Sequence, residues 1–115
     1  MKGVVYIDQN FAEFIPQFII DRKKDVADIR GFIERGNFEA THEIFKMIRE
    51  TANIFGFKAL TSMSSHALTL AKKAKGEQAI ELVEKMEKHL EKIKVVYVQY
   101  DEENLASYMY SDKEF

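Results

Sequence analysis

The side chains best suited to chemistry in this chain are the histidines His42, His66 and His89 and the closely spaced cations Lys46 and Arg49. A neutral imidazole is a nucleophile and a metal ligand near physiological pH. His42 is followed by Glu43 and, one helical turn on, by Lys46. A zinc protease of the H-E-x-x-H type needs a second imidazole at that last position, so the lysine excludes that chemistry. His66 follows Ser64-Ser65, and His89 lies in a run of Glu and Lys; both read as surface or boundary residues rather than ligands. Cysteine is absent, which removes disulfides, thiolate metal sites and thiol nucleophiles together. No glycine-rich phosphate loop, Ser-His-Asp arrangement or close carboxylate pair in an apolar setting is recognisable. The residues thus predict neither an enzyme nor a cofactor or metal centre.

The elements that must carry these side chains are almost all helical. After Asn10, apolar residues recur at steps of three and four, the spacing that keeps them on one helix face. A first helical region is expected from about Phe11 to Arg35, opened by a capping box of Asn10 and Glu13, with Pro16 tolerated in the first turn or breaking the helix there. Its inner face would hold Phe11, Ile15, Phe18, Ile19, Val26, Ile29 and Ile33. Gly36 and Asn37 form a stop-start signal, glycine for the left-handed turn and asparagine for the next cap. The second helix runs from Phe38 to Phe55 over Phe38, Thr41, Phe45, Ile48, Ala52 and Phe55. A third spans about Lys58 to Ala74 over Leu60, Met63, Ala67, Leu70 and Ala74, and Gly76 is expected to break the run. The last buries Ala79, Val83, Met86, Leu90 and Ile93 and turns Glu and Lys to solvent, with Glu81–Lys85 and Glu84–Lys88 one turn apart. VVYVQY then has strand composition, its one conceivable partner being the VVYI near the amino terminus. Both segments read as extended ends along the bundle or as a short terminal pairing. Asp101 would cap a last short helix ending near Tyr110.

Four helices with short connections predict an all-α, antiparallel up-and-down four-helix bundle, with an extra short N-terminal helical segment and an extended or short-helical C-terminal tail. A length of 115 residues suits a single domain 1–115, its core at about 11–97 and its tail at 98–115. With 46% hydrophobic and 31% charged residues the balance is that of a globular protein. The first residues lack the long apolar run of a secretory signal, and no stretch approaches a membrane span. A formal charge of −2 offers no attraction to nucleic acid or anionic lipid. The expected location is cytoplasmic and the expected partners are proteins.

The stretch FIIDRKKDVADIRGFIERGNFEATHEIFKMIRETANIFGFKALTSMSSHALTLAKK resembles the bacterial histidine phosphotransfer (Hpt) family. In that family a helix ends in a Gly-Asp-type turn, and the next carries His-x-Leu/Met-Lys-Gly, small residues and an aromatic-Gly-Phe ending. Phe55-Gly56-Phe57 matches the ending and fixes the register. Ten positions before Gly56 stands Lys46, where the family has its phosphorylatable histidine; Ile48 takes the following apolar site, Arg49 the family lysine and Glu50 the family glycine. The resemblance implies a helical bundle and, as partners, the receiver domain of a response regulator or a histidine kinase.

The core pattern supports the same alignment. With Phe45, Ile48 and Ala52 inward, His42, Lys46, Arg49, Glu50 and Asn53 form the outer stripe. A lysine ammonium ordinarily keeps its proton at neutral pH and has no lone pair to accept phosphate. Glu50 adds bulk and negative charge where the family glycine leaves room for a receiver. Lys46 and Arg49 are instead suited to the acidic phosphate-binding pocket that the resemblance implies on a receiver. The expected function is an Hpt-like signalling domain that binds a receiver or kinase without passing phosphate. One alternative is active phosphotransfer through His42, although a shift by a full turn breaks the spacing to Gly56. Another is a structural or regulatory bundle, monomer or homodimer, that self-associates through Tyr97, Tyr100, Tyr108, Tyr110 and Phe115.

Overall fold

A computed structural model of the chain describes residues 3–99. Strand β1 (Val4–Asp8) leads through a 3-10 turn at Gln9–Phe11 into helices α1 (Ile15–Glu34), α2 (Phe38–Phe55), α3 (Lys58–Lys72) and α4 (Gly76–Lys92), and strand β2 (Lys94–Val98) follows. The four helices are the expected ones, and each packs against its chain neighbours while α4 returns to α1. The expected tail helix between Asp101 and Tyr110, and Tyr100, Tyr108 and Phe115, lie outside the described residues.

The inner faces follow the three-four periodicity. Ile15, Phe18, Val26, Ile29 and Ile33 of α1 are buried, as are Thr41, Phe45, Ile48 and Ala52 of α2. Leu60, Ala67 and Leu70 of α3 and Ala79, Val83, Met86 and Leu90 of α4 complete the expected set. Phe11, Ile19, Phe38, Phe55, Met63 and Ile93 are half-buried at its margin. Five apolar side chains outside the expected faces also enter: Ile7 from β1, Phe57 from the α2–α3 turn, Leu68 and Ala71 from α3, and Leu82 from α4. The core therefore begins before Phe11.

The helix ends differ from expectation in two places. Asn10 and Glu13 do not open the long helix; α1 starts at Ile15, and its N-cap, Phe14, makes no side-chain capping bond. The physical reason is a competing acceptor upstream, since the Asp8 carboxylate takes the Asn10 N–H at 2.9 Å and turns the chain there. Pro16 falls in the first turn, where its missing N–H has no intrahelical partner to lose, and α1 continues unbroken to Glu34. The other correction concerns Gly76, which does not break the chain but begins α4. The turn is made by Ala74, exposed and at φ +52°, not packed as the last residue of α3. The Lys75 N–H donates to the Leu70 carbonyl at 2.9 Å and the Ala74 N–H to that of Ala71 at 3.1 Å. This closure normally uses glycine, and α2 ends in that way at Gly56.

The chain is mostly helical, as the all-α expectation has it, and its two terminal segments add a small sheet. β1 and β2 pair in parallel, from Val4 opposite Lys94 to Asp8 opposite Val98. Of the alternatives open to the two terminal segments, this is the terminal pairing. Lys94 N–H donates to the Gly3 carbonyl at 2.6 Å, so the strands meet where α4 ends.

Candidate functional site

Helix α2 carries the stripe, and both of its ends are secured. The Asn37 side chain accepts the Ala40 N–H at 3.2 Å, Thr41 Oγ1 donates to the Asn37 carbonyl at 2.9 Å, and Glu39 in the first turn suits the positive end of the helix dipole. At the other end Gly56 adopts φ +93°, and Phe57 N–H donates to the Ala52 carbonyl at 2.9 Å. The aromatic pair around this glycine works in two directions. Phe57 is buried with its ring centroid 4.8 Å from that of Phe18, whereas Phe55 stays at the margin, edge-on to Phe11 at 5.1 Å and to Phe18 at 5.2 Å. The Phe55-Gly56-Phe57 motif thus ties the end of α2 to the beginning of α1.

Burial along the stripe is graded. Lys46, Glu50 and Asn53 are exposed, and Arg49 is half-buried. The His42 side chain is 29% exposed, with Nδ1 3.9 Å from the Glu43 carboxylate, beyond hydrogen-bonding distance. Lys46 therefore stands at the middle of α2 with a less accessible imidazole one turn before it and a carboxylate one turn after it. Ile54, at 64% exposure, follows Glu50 by one turn and adds an apolar side chain to the same edge, which charge-based reasoning overlooks.

A second contribution comes from α1. Arg22 donates through Nε to Asp25 at 2.8 Å and through Nη1 to Thr51 Oγ1 at 3.2 Å, with its guanidinium 5.1 Å from the Phe18 ring centroid. Thr51 Oγ1 in turn donates to the Met47 carbonyl at 2.9 Å. The cation is thereby spent on bracing α1 against α2 directly behind Glu50. The Arg22–Asp25 spacing of one turn is readable in the sequence; the link to Thr51 depends on helix packing.

The remaining histidines stand apart from the stripe. His66 is exposed on α3, and His89 is half-buried on α4. His89 Nε2 is fully buried with no hydrogen-bond partner among the described residues, and burial holds the imidazole below its ordinary pKa. Among the described residues no three His, Asp or Glu side chains gather as potential metal ligands. A groove of about 600 Å³ between α1 and α4 is crossed by the Arg30–Glu87 ion pair at 2.6 Å, and it includes none of the stripe. Among the described residues no helix is long and apolar enough to cross a membrane.

The chain matches no family model, no curated protein and no solved structure.

Proposed function

We propose that this protein is an Hpt-like, cytoplasmic docking domain of a bacterial two-component system that binds a receiver or kinase domain through α2 and does not carry phosphate. The observation that carries this reading is the exposure of Lys46 at the middle of a helix whose register is set by the Phe55-Gly56-Phe57 turn. A lysine there supplies a long cation in place of a nucleophile, and the half-buried Arg49 beside it adds planar, bidentate hydrogen bonding toward carboxylate or phosphoryl oxygens. Exposed Glu50 opposes an incoming phosphoryl group, in keeping with binding rather than transfer. The alternative through His42 draws less support, because that imidazole is only partly accessible.

The same reading takes the helices as alternating up and down. It is supported by Gly76, at the start of α4, where a Cβ would touch Phe38 at the start of α2 and Ile33 near the end of α1.

The test is incubation of the protein with phosphorylated and unphosphorylated receiver domains and with kinase domains from the same organism. Binding that weakens at least tenfold in Lys46→Ala and in Arg49→Ala, with no acid-labile label on the protein, supports the proposal. Label that disappears in His42→Ala supports phosphotransfer instead. Binding indifferent to both cation substitutions removes the docking stripe, and binding to none of these domains removes the signalling role.

A further inference from the structure

A two-stranded sheet is marginal in water, and parallel ladders are ordinarily covered on both faces. β2 departs from both norms. Its residues Val95, Val96, Tyr97 and Val98 are apolar on both faces, as in a buried strand, yet Val96 is 38% and Tyr97 40% exposed. Among the described residues β1 is the only strand paired with it. Among the described residues the usual protections of an edge are nearly missing too: β2 has no proline, and its only charge is Lys94 at the beginning.

The direction of the backbone groups that β1 does not take up follows from the ladder. Because Lys94 N–H donates to Gly3, alternation turns the peptide groups of Lys94, Val96 and Val98 toward β1 and those of Val95 and Tyr97 outward. These outward groups suit one occupant particularly well, the same strand from a second copy. Placed antiparallel about a two-fold axis at Val96, Val95 exchanges both hydrogen bonds with Tyr97 of the partner subunit, and Tyr97 does so with the partner's Val95. Val96 then faces the partner's Val96 as the close, non-hydrogen-bonded pair, and each Lys94 falls opposite the partner's Val98. Every cross-strand pair is thus β-branched with aromatic, β-branched with β-branched, or lysine with valine; no like charges are opposed.

We propose that the outward edge of β2 is a homodimer interface, joining two copies into one four-stranded sheet of order β1-β2-β2-β1 between their helical bundles. It lies on the sheet rather than on α2, so it does not depend on receiver binding. Closed two-fold pairing of this kind consumes the edge and leaves no site for further growth through β2.

The absence of cysteine makes a direct test available. Val96→Cys places a single thiol at the two-fold axis, where Cα atoms of a non-hydrogen-bonded pair lie about 4.5 Å apart, within disulfide reach. The full chain should sediment as a dimer. Val96→Cys should cross-link to a covalent dimer on mild oxidation with copper phenanthroline, and Ser62→Cys, on exposed α3 surface, should not. Tyr97→Pro removes an outward N–H while sparing the ladder, and is expected to give a monomer with unchanged helical circular dichroism. A wild-type chain that stays monomeric to millimolar concentration would overturn the proposal. So would a dimer that persists in Tyr97→Pro without cross-linking at Val96→Cys, or slow amide exchange at Val95 and Tyr97 in a monomer, which would mean that one chain closes its own edge.

Discussion

Arg22 and Thr51 meet at 3.2 Å across α1 and α2, and the arginine that makes this bond also lies over Phe18, itself against Phe57. Through this one side chain the back of the α2 stripe is tied to the aromatic cluster at the end of the bundle. Arg22→Ala should lower stability by about 1–2 kcal/mol, through loss of a charge-assisted hydrogen bond and of cation–π packing. In a double-mutant cycle with Thr51→Val, urea unfolding should give a coupling of about 0.5–1.5 kcal/mol. Additive losses would mean that the two residues act separately.

The left-handed turns make a pair of predictions of opposite sign. Gly56 has φ +93°, and the nearest atom to an added Cβ is Ile7 Cδ1 at 3.9 Å, so Gly56→Ala meets no clash and suffers only backbone strain. It should lose about 1 kcal/mol of stability. Ala74 holds φ +52° while exposed, so Ala74→Gly should gain up to about 1 kcal/mol. Thermal unfolding of the two variants beside wild type reads both signs at once.

His89 gives the stability a pH dependence. Burial lowers its folded pKa below the ordinary value of 6.5, so the unfolded chain binds the proton more readily. The stability associated with the neutral imidazole is complete above pH 6.5 and is lost as pH falls from there through the folded pKa. The difference in Tm between wild type and His89→Leu should therefore change in favour of the variant on acidification across that window. A difference independent of pH would show that this histidine does not titrate differently on folding.

If the scaffold is Hpt-like, its missing chemistry should be recoverable. Lys46→His supplies a neutral imidazole at the exposed middle of α2, and Glu50→Gly removes the carboxylate one turn on. The double variant should acquire acid-labile, alkali-stable label from a phosphorylated receiver that binds the wild type, while wild type acquires none. A double variant that still binds but gains no label would count against the alignment of Lys46 with the family histidine.

The helices and most of their inner faces were readable from residue order, because a three-four repeat is a local property and every helix here buries one side. The outward placement of Lys46, Glu50 and Asn53 was readable on the same ground, since fixing Phe45, Ile48 and Ala52 inward turns them to solvent, whereas His42 and Arg49, expected beside them, are half-buried. Local reasoning failed where two acceptors compete or where a turn uses an unusual residue: Asp8 captures the N–H of Asn10, and Ala74 adopts the conformation expected of a glycine.

The sequence by itself determined the helical periodicity, the charge of the α2 stripe and the absence of thiol chemistry. Only the tertiary structure decided that Lys46 is more accessible than His42, that Arg22 braces Thr51, and that Ile7 and Phe57 enter the core. It also decided the parallel pairing of Val4–Asp8 with Lys94–Val98. The reason is the same in each case: these relationships depend on how elements distant in the chain pack together, and their geometry exists only after that packing.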